Sequence, residues 1–112
     1  MLFRSTLDKD DLLEGHQYSD HFMAPDRFQW QSQNRTTQDS KHGQMLKRHE
    51  QMGVVVHLFV RRSKKTQGRP TRFHYCGPLR FEQWSGERPI TVTWRLLNPL
   101  PDRLQAQFRG QP

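Results

Sequence analysis

The chain has 112 residues, with 18 Lys and Arg against 11 Asp and Glu, a formal net charge of +7, a pI near 10.3 and a mean hydropathy of −1.01. That length makes one domain, and no apolar run approaches the ~20 residues that span a bilayer, which argues against a membrane partner. The single Cys76 excludes an internal disulfide and fits a reducing compartment; with no signal-peptide core at Met1-Leu2-Phe3-Arg4-Ser5, the expected location is cytoplasmic.

Leu2–Leu7 reads as a short strand stopped by the Asp8-Lys9-Asp10-Asp11 cluster, and Asp11–His16 as a helical turn. Tyr18–Met23 is compatible with strand or loop. Pro25-Asp26-Arg27 turns the chain, and Phe28–Gln33 is extended. Asn34–Gly43 is polar and loop-like. Gln44–Gln51 predicts a short helix, with Leu46 and His49 one turn apart and Gly53 as its stop. Val54–Arg61 is the clearest strand; its β-branched and aromatic run is apolar on both faces, which predicts a central, buried position. Ser63–Thr71 is a basic loop holding Gly68 and Pro70. Arg72–Cys76, Leu79–Trp84 and Ile90–Leu96 predict three further strands, broken by Gly77-Pro78 and by Ser85–Pro89. In the last of these Ile90, Val92, Trp94 and Leu96 alternate with Thr91, Thr93 and Arg95, so one face packs and the other stays polar. Asn98-Pro99-Leu100-Pro101 ends the sheet, and Arg103–Pro112 reads as a loose tail, with one folded domain over 1–104 and residues 105–112 outside it.

Leu, Ile, Val and Phe together number 24 of 112, enough for a thin core helped by large aromatics. The fold class expected is β-rich α+β: a twisted antiparallel sheet or small, partly open β-barrel with one or two short helices.

Charge is unevenly distributed. Residues 1–45 carry 5 Lys/Arg and 7 Asp/Glu, whereas residues 46–112 carry 13 Lys/Arg and 4 Asp/Glu. A basic half of this density is the footprint of a nucleic-acid or acidic partner; the plainer reading is a solvated surface that keeps the protein soluble. Its densest part is Arg61, Arg62, Lys64, Lys65, Arg69 and Arg72, six cations in twelve residues with no acid among them. Such a loop repels itself unless something negative lies nearby, and phosphate contacts of this kind give affinity and position. Strand alternation groups Arg72, His74 and Cys76 opposite Phe73 and Tyr75, and Arg80 and Glu82 opposite Leu79 and Phe81. In a meander, Arg72, Arg80 and Arg95 then share a surface, and guanidinium forks suit phosphate.

Phe28-Gln29-Trp30-Gln31-Ser32-Gln33-Asn34 combines an aromatic pair with amides. Gln can read adenine edges, and Trp can stack on an unpaired base, which makes Trp30, Gln31 and Gln33 candidate readers. Equally, Trp30 is a core residue and the two glutamines are structural hydrogen bonders. No catalytic set emerges. The six histidines form no His-Glu-x-x-His pattern, and one cysteine cannot build a Cys-based zinc site. His16, Asp20 and His21 are the one grouping worth testing as a metal site. No phosphate loop, nucleophile elbow or His-x-Lys motif occurs, so the reading is a non-enzymatic domain without metal or cofactor.

Five phrases, in order, carry a family resemblance: Tyr18-Ser19-Asp20; the aromatic-x-Trp-Gln-Ser-Gln-Asn run at Phe28–Asn34; Leu58-Phe59-Val60-Arg61; Gly77-Pro78; and Arg88-Pro89 leading to Trp94-Arg95-Leu96. Over Phe3–Leu104 the chain resembles the C-terminal domain of unknown function of DEAD/DEAH-box helicases that carry a phospholipase-D-type nuclease, in restriction-like defence systems. That family typically has His where this chain has Gln29, so any role of that His is missing here. The resemblance implies a helicase or nuclease as neighbour, and DNA, including DNA with a modified base, as ligand. The function expected is therefore a DNA-binding specificity module using the basic loop and sheet face; the alternative is a protein–protein interaction module that links helicase and nuclease parts.

Overall fold

The computed structural model describes residues 1–7 and 20–108. The helical turn expected at Asp11–His16 and the metal candidate His16 lie outside the described residues.

Six strands form one sheet in the order β1-β4-β7-β8-β3-β2, built from β1 (Leu2–Thr6), β2 (His21–Ala24), β3 (Arg27–Gln31), β4 (Val56–Arg61), β7 (His74–Ser85) and β8 (Thr91–Leu96). Two-residue strands β5 (Lys65–Thr66) and β6 (Arg69–Pro70) make a separate hairpin, and two short helices, α1 (Lys41–Arg48) and α2 (Asp102–Phe108), complete the elements of the described residues. Pairing is antiparallel except that β1 runs parallel to β4. The sheet curls into a half-barrel. Phe3 on β1 and Trp30 on β3 have three strands between them in the sheet order, yet their rings stack at 4.5 Å. Asp20 bridges the same gap, accepting from Ser5 Oγ at 3.1 Å and from the Gln31 amide at 3.0 Å. The expected β-rich α+β class with a partly open barrel is what forms.

Alternation sets the inner face. Val56, Leu58 and Val60 of β4, Phe28 of β3, and Val92, Trp94 and Leu96 of β8 are all buried. Trp94 is the centre, edge-on to Phe3 at 5.4 Å and to Phe81 at 6.2 Å, with the His49 ring at 5.6 Å. Helix α1 closes one side with Leu46 and His49; Ser40 caps it by accepting from the Gly43 amide at 3.0 Å. Gly53, at φ 73, ends the turn after it as anticipated, and His49 Nδ1 bonds the Val54 carbonyl at 2.8 Å.

The structure departs from the sequence reading at five points. The helix starts three residues before Gln44, because Ser40 supplies its cap. Strand β4 alternates buried and half-buried residues instead of being buried on both faces, since among the described residues His57, Phe59 and Arg61 are covered only in part, by Tyr75 and Phe73. Gly77-Pro78 does not break the chain into two strands: β7 runs through it, with Cys76 as the extra residue of a bulge between Leu58↔Gly77 and Phe59↔Tyr75. That bulge sets the start of β7 in the opposite sense to the expected alternation. His74 pairs with Val60 and meets Phe108 edge-on at 5.5 Å, while Tyr75 lies on the other face, its hydroxyl 2.7 Å from His57 Nδ1. Finally, Arg103–Phe108 is no tail. Leu104 and Phe108 are buried, and Phe108 stacks on Phe22 at 5.9 Å, so an amphipathic turn of helix finishes the core.

Candidate nucleic-acid interface

The basic segment after β4 is a short ribbon. Lys65 pairs with Pro70 and Thr66 with Arg69, around a two-residue turn in which Gln67 (φ 53) and Gly68 (φ 80) are both left-handed. Two positive φ values define a type I′ turn, whose twist matches an antiparallel pair and for which glycine is suited. The ladder is extended by the Thr71 amide donating to the Lys64 carbonyl at 3.0 Å and by a 2.6 Å contact between the Thr66 and Thr71 hydroxyls.

Two of the six cations anchor this ribbon. Arg61 donates from Nε to Thr6 Oγ1 at 2.8 Å and to the Thr71 carbonyl, with its guanidinium 4.4 Å from the Phe73 ring centre. Arg62 donates to the Gln107 carbonyl at 2.6 Å, tying the segment to α2. Lys64, Lys65, Arg69 and Arg72 are exposed. The side chains of Lys65, Arg69 and Arg72 have no hydrogen-bond or ion-pair partner among the described residues.

A second basic row crosses the sheet on the face away from the core. Arg80, Arg95 and Arg27 are directly opposed across β7, β8 and β3. Aligned like charges repel, and acids offset most of this. Arg27 sits 2.8 Å from Asp26 and 2.9 Å from Glu82, and hydrogen bonds to Asp26 and then Glu82 raise its already high pKa. Arg80 meets Glu50 at 2.8 Å. Arg95 alone of the three has no partner among the described residues. A cleft of about 470 Å³ opens here, lined by Asp26, Glu50, Arg80, Phe81, Glu82 and Arg95. Its charges are nearly balanced, whereas the ribbon carries cations without acids. Arg72 precedes β7 and joins the ribbon rather than this row.

The aromatic–amide phrase divides between faces. Trp30 pairs with Val92 on the core side, half-buried and stacked on Phe3. Gln31 is on the opposite side and donates from Nε2 to Thr91 Oγ1 at 3.2 Å. Gln33 lies beyond the strand and is exposed. Ser32, buried, accepts from the Ile90 amide at 2.9 Å and holds the phrase against the start of β8. Sequence reasoning set Glu82 beside Arg80 but passed over Arg27 and Glu50, which join the row only through strand register and a salt bridge 30 residues long in sequence. It also passed over the Gln67-Gly68 turn, which the Thr-Gln-Gly-Arg spacing could have signalled.

Cys76 is buried, and burial pushes its thiol up to about 12, which leaves it protonated and poorly reactive at neutral pH. Among the described residues no three His, Cys, Asp or Glu side chains gather as a metal site, and no helix is long and apolar enough to cross a membrane. No curated protein matches the chain. The family model of a domain of unknown function, DUF3427, matches residues 1–108, and the chain belongs to that family.

Proposed function

We propose that this domain is a DNA-binding module that grips duplex DNA through the β5–β6 ribbon, as the specificity element of a restriction-type helicase–nuclease system of the kind its sequence resembles. One observation carries the reading: Lys65, Arg69 and Arg72 project from a short, anchored ribbon, and their side chains have no acidic partner among the described residues. Cations held together in this way are neutralised by phosphates, with release of condensed counterions. Arg95 adds one unpaired guanidinium on the sheet face, while Arg27 and Arg80 are already balanced by acids. Base discrimination, including recognition of a modified base, falls in this reading to exposed groups such as Gln33; the Trp30 ring and the Gln31 amide are engaged within the domain.

The test is a titration against duplex, single-stranded and modified-base DNA at two salt concentrations. Tight duplex binding that weakens steeply with salt supports the reading. Affinity that is negligible or indifferent to salt removes it.

A second reading, an interaction module joining helicase and nuclease parts, is favoured by exposed apolar side chains at the β1–β4 edge, Leu2 at 55% and Val55 at 52% exposure. Leu2→Ser with Val55→Ser should then abolish association with the partner protein and leave DNA affinity unchanged.

A further inference from the structure

We infer that the β5–β6 ribbon enters the minor groove of A·T-rich duplex DNA, with Arg69 as the inserted side chain. The inference rests on the DNA-binding reading above and adds which groove is read and by which residue. B-DNA's minor groove is only about 6 Å wide, against about 12 Å for the major groove, so it admits a thin tip and single extended side chains but not a broad protein element. The ribbon has that shape. Its paired part is two residues long on each side, and its tip is the Gln67-Gly68 turn. Among the described residues, a Cβ built at Gly68 meets no atom within 4 Å beyond its chain neighbours, so the tip stands clear of them.

The distribution of charge points the same way. Lys65 pairs with Pro70 and Thr66 with Arg69, at successive positions of the ladder, so Lys65 and Arg69 leave opposite faces of the ribbon. In a narrow groove both walls are phosphate strands, and cations on both faces are neutralised at once. A ribbon laid along one strand, or against the floor of a major groove, uses one face only. Arg69 emerges directly after the turn, exposed and with no partner among the described residues, and the following Pro70 limits the backbone freedom lost on insertion. Narrow A·T-rich minor grooves concentrate negative potential and draw in arginine. Their floor offers only the adenine N3 and thymine O2 acceptors, which suit a guanidinium or the Gln67 amide. In G·C pairs the guanine N2 amino group projects into the same space and excludes the side chain.

The experiment uses the full chain and three duplexes of equal length: A·T-rich, G·C-rich, and one with inosine in place of guanine. Inosine·cytosine lacks the minor-groove amino group yet keeps the major-groove face of G·C. The expected result is that the A·T and inosine duplexes bind alike, about tenfold tighter than G·C. Arg69→Ala should bring that ratio close to one, while Lys65→Ala weakens all three duplexes alike and keeps it. Inosine behaving like G·C, with A·T different, overturns the inference in favour of major-groove reading. Equal affinity for all three overturns it in favour of phosphate contact alone and leaves the DNA-binding reading standing. No salt-dependent binding to any duplex overturns both.

Discussion

Removing the ribbon's charge gives the most direct quantitative test. The side chains of Lys65, Arg69 and Arg72 have no partner among the described residues, so their replacement by Ala breaks no ion pair among those residues and should leave the fold intact. With Arg95, the cations of the ribbon and sheet face without a partner among the described residues come to about four, which predicts a log–log salt slope near −3.6 for the parent domain. The triple variant forfeits about three contacts and should show a slope near −0.9. Between 50 and 200 mM salt the parent then loses about 150-fold in affinity and the variant about 3.5-fold. Arg80→Ala is the control: its guanidinium is already paired with Glu50, so the slope should change by well under one unit. Fluorescence anisotropy of a labelled duplex across a salt series reads all three. An unchanged slope in the triple variant, or a larger effect from Arg80→Ala, would show that the ribbon is not the phosphate-binding element.

Trp94 is fully buried at the centre of the aromatic cluster, so Trp94→Ala should cost about 3–5 kcal/mol in denaturant unfolding; near-parental stability would mean that the sheet faces are assigned the wrong way round. Phe108→Ala should cost about 3 kcal/mol, because its ring fills the space between Phe22 and His74, and a neutral effect would return α2 to the status of a tail. Ser32→Ala strands the Ile90 amide in a buried site and should lower stability by about 1–3 kcal/mol, whereas Gln33→Ala, at an exposed position, should leave the melting curve unchanged. Cys76 should resist thiol reagents at pH 8 until the protein is unfolded. Its folded pKa is raised from 9.0 to about 12, so above pH 9 the unfolded thiol ionises first and the folded state binds the extra proton. Stability should therefore fall between pH 9 and 12 in the parent and fall less in Cys76→Ala.

The sequence carried the parts of this fold that depend on period and punctuation. Alternation identified Val92, Trp94 and Leu96 as a packing face, and all three are buried. The apolar run through Leu58 marked a principal strand, the Leu46–His49 spacing marked a buried helix stripe, and Gly53 marked its end. Composition alone exposed the acid-free run from Arg61 to Arg72. What it could not carry was anything that depends on which strands become neighbours. The parallel pairing of β1 with β4, the stacking of Phe3 on Trp30 and the alignment of Arg27, Arg95 and Arg80 arise from contacts far apart in sequence, where no local pattern records register. The bulge at Cys76 shifts the side-chain phase by one residue, and in a period of two one residue exchanges the faces, which is why His74 turns inward and Tyr75 outward. The same logic separates the cations. Sequence counts charges, but only tertiary structure decides which find a carboxylate, a carbonyl or an aromatic ring within reach. It engages Arg27, Arg61, Arg62 and Arg80 inside the domain and leaves Lys65, Arg69, Arg72 and Arg95 without partners among the described residues, because an ion pair forms by proximity in space and not along the chain.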